Sequence, residues 1–159
     1  NPVSRFDLSR GAHPQLPSGS IRMKRPARSG DIGRLEFVVT EEHAIDFSGD
    51  AMPAVLSTPW LIWFLEHAAR EAMLPLLDAG ESTVGVRVDV AHLAATPLGQ
   101  KVRCVARVLS AEKGRIHFQV EARDESELIA RGTHQLQIID QARFRARVQR
   151  KANAMASKG

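Results

Sequence analysis

Three side chains carry chemistry that their surroundings do not explain: Thr58, Glu66 and His92. Glu66 follows Trp60-Leu61-Ile62-Trp63-Phe64-Leu65, an unbroken run of large apolar residues. Burial in such company raises a carboxyl's pKa unless hydrogen bonds or positive charge compensate, and a carboxylate so tuned suits general-base or nucleophilic work. The same residue can also mark the solvent face of a helix, paired with Arg70 one turn on. His92 ends a valine-alternating stretch, just before a loop with Thr96 and Pro97. A neutral imidazole there can take or give a proton near pH 7, or simply pack as a structural residue. Thr58 precedes Pro59 at the start of the apolar run. It can cap a helix, and its hydroxyl also stands beside the unpaired N–H groups of a helix start, which can hold an oxygen as negative charge develops on it.

The elements that must position these groups are legible from pattern. The strongest helix is expected over 59–77, with Ser57 or Thr58 as cap, Pro59 at its first position, and Pro75 and Gly80 ending it. The apolar run covers every face, so the first half of this helix is expected to be buried all round. Leu35-Glu36-Phe37-Val38-Val39-Thr40 has strand composition, and residues 41–57 read as an irregular loop. After Gly80, Val84, Val86, Val88 and Val90 alternate with small or polar residues, a period-two strand. Three further strands are expected near 101–111, 115–123 and 127–139, turning at Lys113-Gly114 and Asp124-Glu125-Ser126. Strands joined by short turns favour an antiparallel sheet. One sheet with one apolar helix implies an α+β protein in which an antiparallel sheet wraps around a long central helix, the hotdog arrangement. By composition residues 1–30 form a flexible leader, 31–151 the hotdog domain, and 152–159 a basic flexible tail, with 140–151 a basic helix or a frayed end.

Taken together, the chemical residues and their spacing resemble one family. The segment from Val55 to Gly99 is similar to the fluoroacetyl-CoA thioesterase family of hotdog proteins. That family carries a threonine before the central helix, a glutamate eight residues later and a histidine thirty-four residues after the threonine, which Thr58, Glu66 and His92 reproduce. His92-Leu93-Ala94-Ala95-Thr96-Pro97-Leu98-Gly99 looks like the family's His-x-Ala-Ala-Thr-Pro-x-Gly segment. Gly80-Glu81 with Gly85, and Gly132-Thr133-His134, match two further segments. The resemblance implies an acyl-CoA thioesterase with Thr58, Glu66 and His92 as its catalytic group, and with Met52, Gly85 and Thr96 on the substrate side. It departs at Met52-Pro53, where family members of the fluoroacetyl type carry an aromatic residue before the proline. Selectivity for a fluorinated acyl group is therefore not implied.

The residues leave several mechanisms open. Glu66 can activate water or attack the carbonyl itself, while Thr58 can orient water or act as nucleophile with His92 as base. The preferred reading is joint activation by Glu66 and His92, with Thr58 at the carbonyl end. Eight helical residues rise about 12 Å, so Thr58 and Glu66 of one chain are poorly placed to reach the same carbonyl. A homodimer, or a dimer of dimers, with sites near the subunit boundary is therefore expected. Trp60, Trp63, Phe64, Met52 and Leu56 crowd the helix start; Trp63 and Phe64 are read as core, and Met52 as the adaptable wall of the acyl pocket, favouring short or small branched acyl groups.

Composition narrows the alternatives. The net charge of +4 comes from basic clusters at both ends, Arg22, Lys24, Arg25 and Arg28 at one and Arg143, Arg145, Arg147, Arg150, Lys151 and Lys158 at the other. With Phe144 the one aromatic among them, they read as solvated ends rather than a nucleic-acid surface. No apolar run is long enough to span a membrane. The single cysteine, Cys104, rules out an intrachain disulfide and reads as core packing, and no metal-ligand motif is present. The expectation is a cytoplasmic enzyme needing no cofactor, coenzyme A being part of the substrate. A non-catalytic acyl-CoA-binding domain and an enoyl-CoA hydratase on the same fold are the competing readings.

Overall fold

The computed structural model describes residues 21–47, 49 and 51–157. Five strands form one antiparallel sheet: β1 (Ile32–Val38), β2 (Glu81–His92), β3 (Lys101–Glu112), β4 (Arg115–Arg123) and β5 (Leu128–Asp140). Their order across the sheet is β1-β3-β4-β5-β2, with every neighbouring pair antiparallel. The helix α1 (Thr58–Met73) touches all five strands and packs most closely on β1 and β3. This is the expected sheet wrapped around a central helix.

The wrap follows from which positions are apolar. On α1 the buried residues are Leu61, Phe64, Leu65, Ala68, Ala69, Ala72 and Met73, a stripe of helical period. On β3 the buried positions Val102, Cys104, Ala106 and Val108 alternate, as do Ile116, Phe118, Val120 and Ala122 on β4. The sheet therefore turns one apolar face to the helix and a polar face, with Arg103, Arg107 and Gln119, outward. Cys104 is fully buried, and its thiol is pushed up to about 12 by that burial. Small residues set the distance of approach. A Cβ added at Gly33 of β1 would run into the Ala68 carbonyl and lie 2.6 Å from the Ala72 nitrogen.

Two expectations are corrected, and β2 carries an irregularity that its alternation does not announce. The helix is not buried all round at its start: Phe64 is 7% exposed, but Trp63 is 46% exposed and stacks on His67. The sheet covers one side of α1 only, so an apolar run that fills every face leaves part of itself outside. The helix also stops at Met73, and a 3-10 turn over Leu74–Leu76 carries Pro75, whose missing N–H cannot extend the α-helical ladder. The valines of β2 do not share one buried face. The register slips between Gly85 and Arg87, leaving Val86 without a partner on β5, and Val86 and Val88 are 37% and 43% exposed along the sheet's edge.

At the ends, residues 1–20 of the expected leader lie outside the described residues. Residues 21–30 are tied to the domain. The Arg22 and Met23 N–H groups donate to Glu81 Oε1, Lys24 N–H donates to the Leu76 carbonyl, and Arg25 forms a two-pronged pair with Asp31. At the other end α2 (Gln141–Ala156) continues through most of the expected tail, capped by the Asp140 carboxylate accepting from Arg143 N–H. Its basic side chains point into solvent.

Gly33→Ala tests the close approach of α1 to the sheet. Overpacking at a backbone contact is expected to cost roughly 1–3 kcal/mol, a fall in Tm of about 3–10 °C for a domain of this size. Thermal unfolding followed by circular dichroism checks it, and an unchanged Tm refutes the account of helix placement.

Candidate active site

Ser57, not Thr58, caps α1. The Ser57 hydroxyl accepts from Trp60 N–H, and Ser57 is itself held by its N–H to the His43 carbonyl. Thr58 is thereby released from capping and stands as the first helical residue with its side chain exposed. Its Oγ1 lies 2.8 Å from His92 Nδ1 at the end of β2. The adjoining loop is pinned on both sides. Leu56 N–H donates to the Thr96 carbonyl, and Leu93 N–H donates to the Ile129 carbonyl. Thr58 and His92 are thus brought together by two elements whose separation is fixed by backbone bonds.

Burial holds the His92 imidazole below its ordinary 6.5, with the Ala94 backbone pulling the other way. The ring is therefore neutral at pH 7. Its Nε2 is buried and has no hydrogen-bond partner among the described residues. The cleft around the pair, about 370 Å³, is lined by Met52, Val55, Leu56, Leu93, Ala94 and Phe47. Met52 takes the expected place beside Thr58. Phe47, 71% exposed, was not singled out by spacing because an isolated aromatic in a loop has no pattern around it.

Glu66 sits elsewhere. Two turns further along α1, its carboxylate lies against Gly85 of β2, where an added Cβ would come within 2.8 Å of Oε2 and 3.1 Å of Oε1. Glu66 Oε2 is 3.7 Å from His134 Nε2 on β5. Glu66, Gly85, Val86, Arg87, Val88 and His134 line a second open cleft of about 360 Å³. The Glu66–Arg70 pair allowed by helical spacing does not form. The Arg70 guanidinium instead donates to the Ser82 and Thr83 hydroxyls. Glu66 is left 42% exposed, with one buried histidine behind it.

The expected residues therefore fall into two groups within one chain: Thr58, His92 and Met52 in one cleft, and Glu66 with Gly85 in the other. Thr96 belongs to neither. It is fully buried, and its hydroxyl donates to Asp124 Oδ2 at 3.0 Å, so it latches the β2–β3 loop to the β4–β5 turn. His134 is the residue that spacing missed. A signal for it exists in β5, where Ala130, His134, Leu136 and Ile138 share the buried phase and His134 is the lone titratable group. Among the described residues no group of His, Cys, Asp or Glu is arranged to hold a metal ion.

Comparison with known proteins agrees with this arrangement of helix and sheet. A family model described as fluoroacetyl-CoA-specific thioesterase matches residues 39–142. The fluoroacetyl-CoA thioesterase of Streptantibioticus cattleyicolor is 34% identical over 138 residues, which is 83% of this chain and 99% of that protein. Among solved structures, a fluoroacetyl-CoA thioesterase superposes with a TM-score of 0.74 at 32% identity, covering 80% of this chain and 98% of that one. A thioesterase superfamily member from Thermus thermophilus superposes at 0.78 with 34% identity, covering 84% and 98%.

The two buried imidazoles make a prediction independent of any reaction. Burial lowers His134 as well as His92, although Glu66 and the Arg87 backbone act against it. In an NMR titration both are expected to protonate below 6.5. An unfolded chain binds these protons first as pH falls, so native stability declines from 6.5 toward the folded midpoints. A His92 midpoint at or above 6.5 would remove it as a neutral base at pH 7.

Proposed function

The chain belongs to the fluoroacetyl-CoA-specific thioesterase family, and on that premise we propose that it hydrolyses a short or small acyl-CoA to the free acid and coenzyme A, using Thr58, Glu66 and His92 in a site shared between two copies. That it is an acyl-CoA thioesterase follows from the family; the residue roles, the small acyl group and the shared site are the proposal. The observation that carries it is the 2.8 Å contact of Thr58 Oγ1 with His92 Nδ1 at the mouth of an apolar cleft.

The chemistry follows from where the proton sits. The Ala94 backbone favours a proton on the His92 ring. With that proton on Nε2, which is buried out of water's reach, Nδ1 is the acceptor that faces the cleft, taking the Thr58 O–H proton as Thr58 takes one from the attacking water. The tetrahedral oxyanion forms beside the N-terminus of α1, where the helix dipole favours negative charge. Collapse breaks the acyl–sulfur bond, and the proton gathered from water leaves with the coenzyme A thiolate.

Glu66 supplies the second half. Thr58 and Glu66 are about 12 Å apart along one helix and line separate clefts. The Glu66 cleft includes Val86 and Val88 of the exposed β2 edge, and Trp63 stands out from α1. A two-fold axis pairing β2 with its counterpart would cover these apolar side chains and carry Glu66 of one copy toward Thr58 and His92 of the other. A cytoplasmic location belongs to the same reading; among the described residues no helix is long and apolar enough to cross a membrane.

Mixing variants tests both activity and sharing. On a panel of short acyl-CoA thioesters followed by thiol release, Thr58→Ala and Glu66→Gln are each expected to lose at least about 100-fold in kcat. Co-refolding the two in equal amounts is expected to restore about a quarter of wild-type activity, since one composite site in each mixed dimer keeps both groups. No recovery overturns the shared site. No thiol release from any thioester by the wild type overturns the assigned substrate class, and loss of enoyl absorbance without thiol release would favour hydration instead.

Met52 sets the acyl preference in this reading. It lines the cleft beside Thr58 and is flexible enough to follow several small groups. In a chain-length series kcat/KM is expected to peak at short or small branched acyl groups, and Met52→Phe to narrow that peak by roughly 10-fold against the longer members. Faster turnover of long chains by the wild type, or an unaltered profile in the variant, contradicts it.

A further inference from the structure

His134 is a buried titratable group that the reaction just described leaves without a task. It is 3% exposed, on the helix-facing side of β5, with Val88 of β2 beside it and Phe118 of β4 on its other flank. The charged groups at this cleft are Glu66 from α1 and Arg87 from β2. The Arg87 backbone favours a proton on the ring, and Nε2 has no hydrogen-bond partner. With the proton on Nδ1, the neutral ring faces Glu66 Oε2, 3.7 Å away, with the Nε2 lone pair.

A lone pair facing a carboxylate is unfavourable, and one proton on the Nε2–Oε2 line removes the conflict. A proton on Nε2, donated to the carboxylate, supplies it. A modest rotation of the Glu66 side chain closes 3.7 Å to a hydrogen bond. Without such a partner, a half-exposed glutamate with three rotatable bonds has no reason to stay over Gly85. From the Nε2 contact and the room left by Gly85, we propose that His134 is a positioning residue for Glu66, holding one carboxylate oxygen through a shared proton and presenting the other to the substrate. This rests on the reading in which Glu66 takes part in hydrolysis.

The test separates the two. Glu66→Gln, His134→Asn and His134→Gln are compared with wild type for kcat, KM and histidine NMR. His134→Asn, too short to reach Glu66, is expected to lower kcat roughly 10- to 100-fold, the scale of a misplaced catalytic group, with KM unchanged. His134→Gln places an amide donor near the old Nε2 and is expected to recover most of that loss. Glu66→Gln is expected to move the His134 titration further down, because it removes the carboxylate that favours the protonated ring. A wild-type kcat in His134→Asn, an equal loss in the glutamine variant, or an unmoved His134 midpoint in Glu66→Gln each overturns the positioning role. Full activity in Glu66→Gln instead overturns the underlying function of Glu66 and leaves the NMR contact to stand or fall separately.

Discussion

The arrangement of the site depends on one extra residue in one strand. Gly85 and His92 are an odd number of positions apart, so an unbroken β2 would turn them to opposite faces of the sheet. Both must face α1, Gly85 to clear space for Glu66 and His92 to reach Thr58. The unpaired Val86 shifts the phase by one, so Gly85 stands opposite Leu136 and Val88 opposite His134, all on the helix side. Without the bulge, a protein with the same composition and strand order would lose one of its two clefts.

The bulge has a second effect, because it lies on the edge of the sheet. The exposed valines and the half-exposed Glu66 occur together there. At the other end of α1, Ser57 takes over the cap and leaves Thr58 free for chemistry. The central helix thus holds Thr58 at its start and Glu66 near its middle. The stripe of Leu61, Leu65, Ala68, Ala69 and Ala72 fixes its rotation against the sheet and so fixes where both groups emerge.

Much of this was legible in order of residues. The proline and serine at the helix start, the turns at Lys113-Gly114 and Asp124-Glu125-Ser126, and the alternation in β3 and β4 are local signals, and the structure has elements at those places. The Thr58 to His92 spacing was readable through the family resemblance, and the two residues do meet. What escaped was non-local. The β2 valines alternate smoothly through the bulge, since valine suits either face of an edge strand, and nothing in their order marks the slip. The motif points to Thr96 as a site residue, yet its hydroxyl is spent on Asp124, a partner two strands further along the chain that no local pattern announces. His134 gained its meaning only when β5 was laid beside β2 and beneath Glu66.

The burial of Cys104 bears on how the protein tolerates its own product. Each turnover of an acyl-CoA thioesterase liberates a thiol, and coenzyme A in its disulfide form exchanges with any accessible protein thiolate. Cys104 lies fully inside the sheet–helix layer, opposite Leu35 on β1 and Ala122 on β4, with its proton held to about 12. Attack requires both a thiolate and an approach path, and the packing denies both. The chain's one thiol is thus closed to exchange with coenzyme A disulfide.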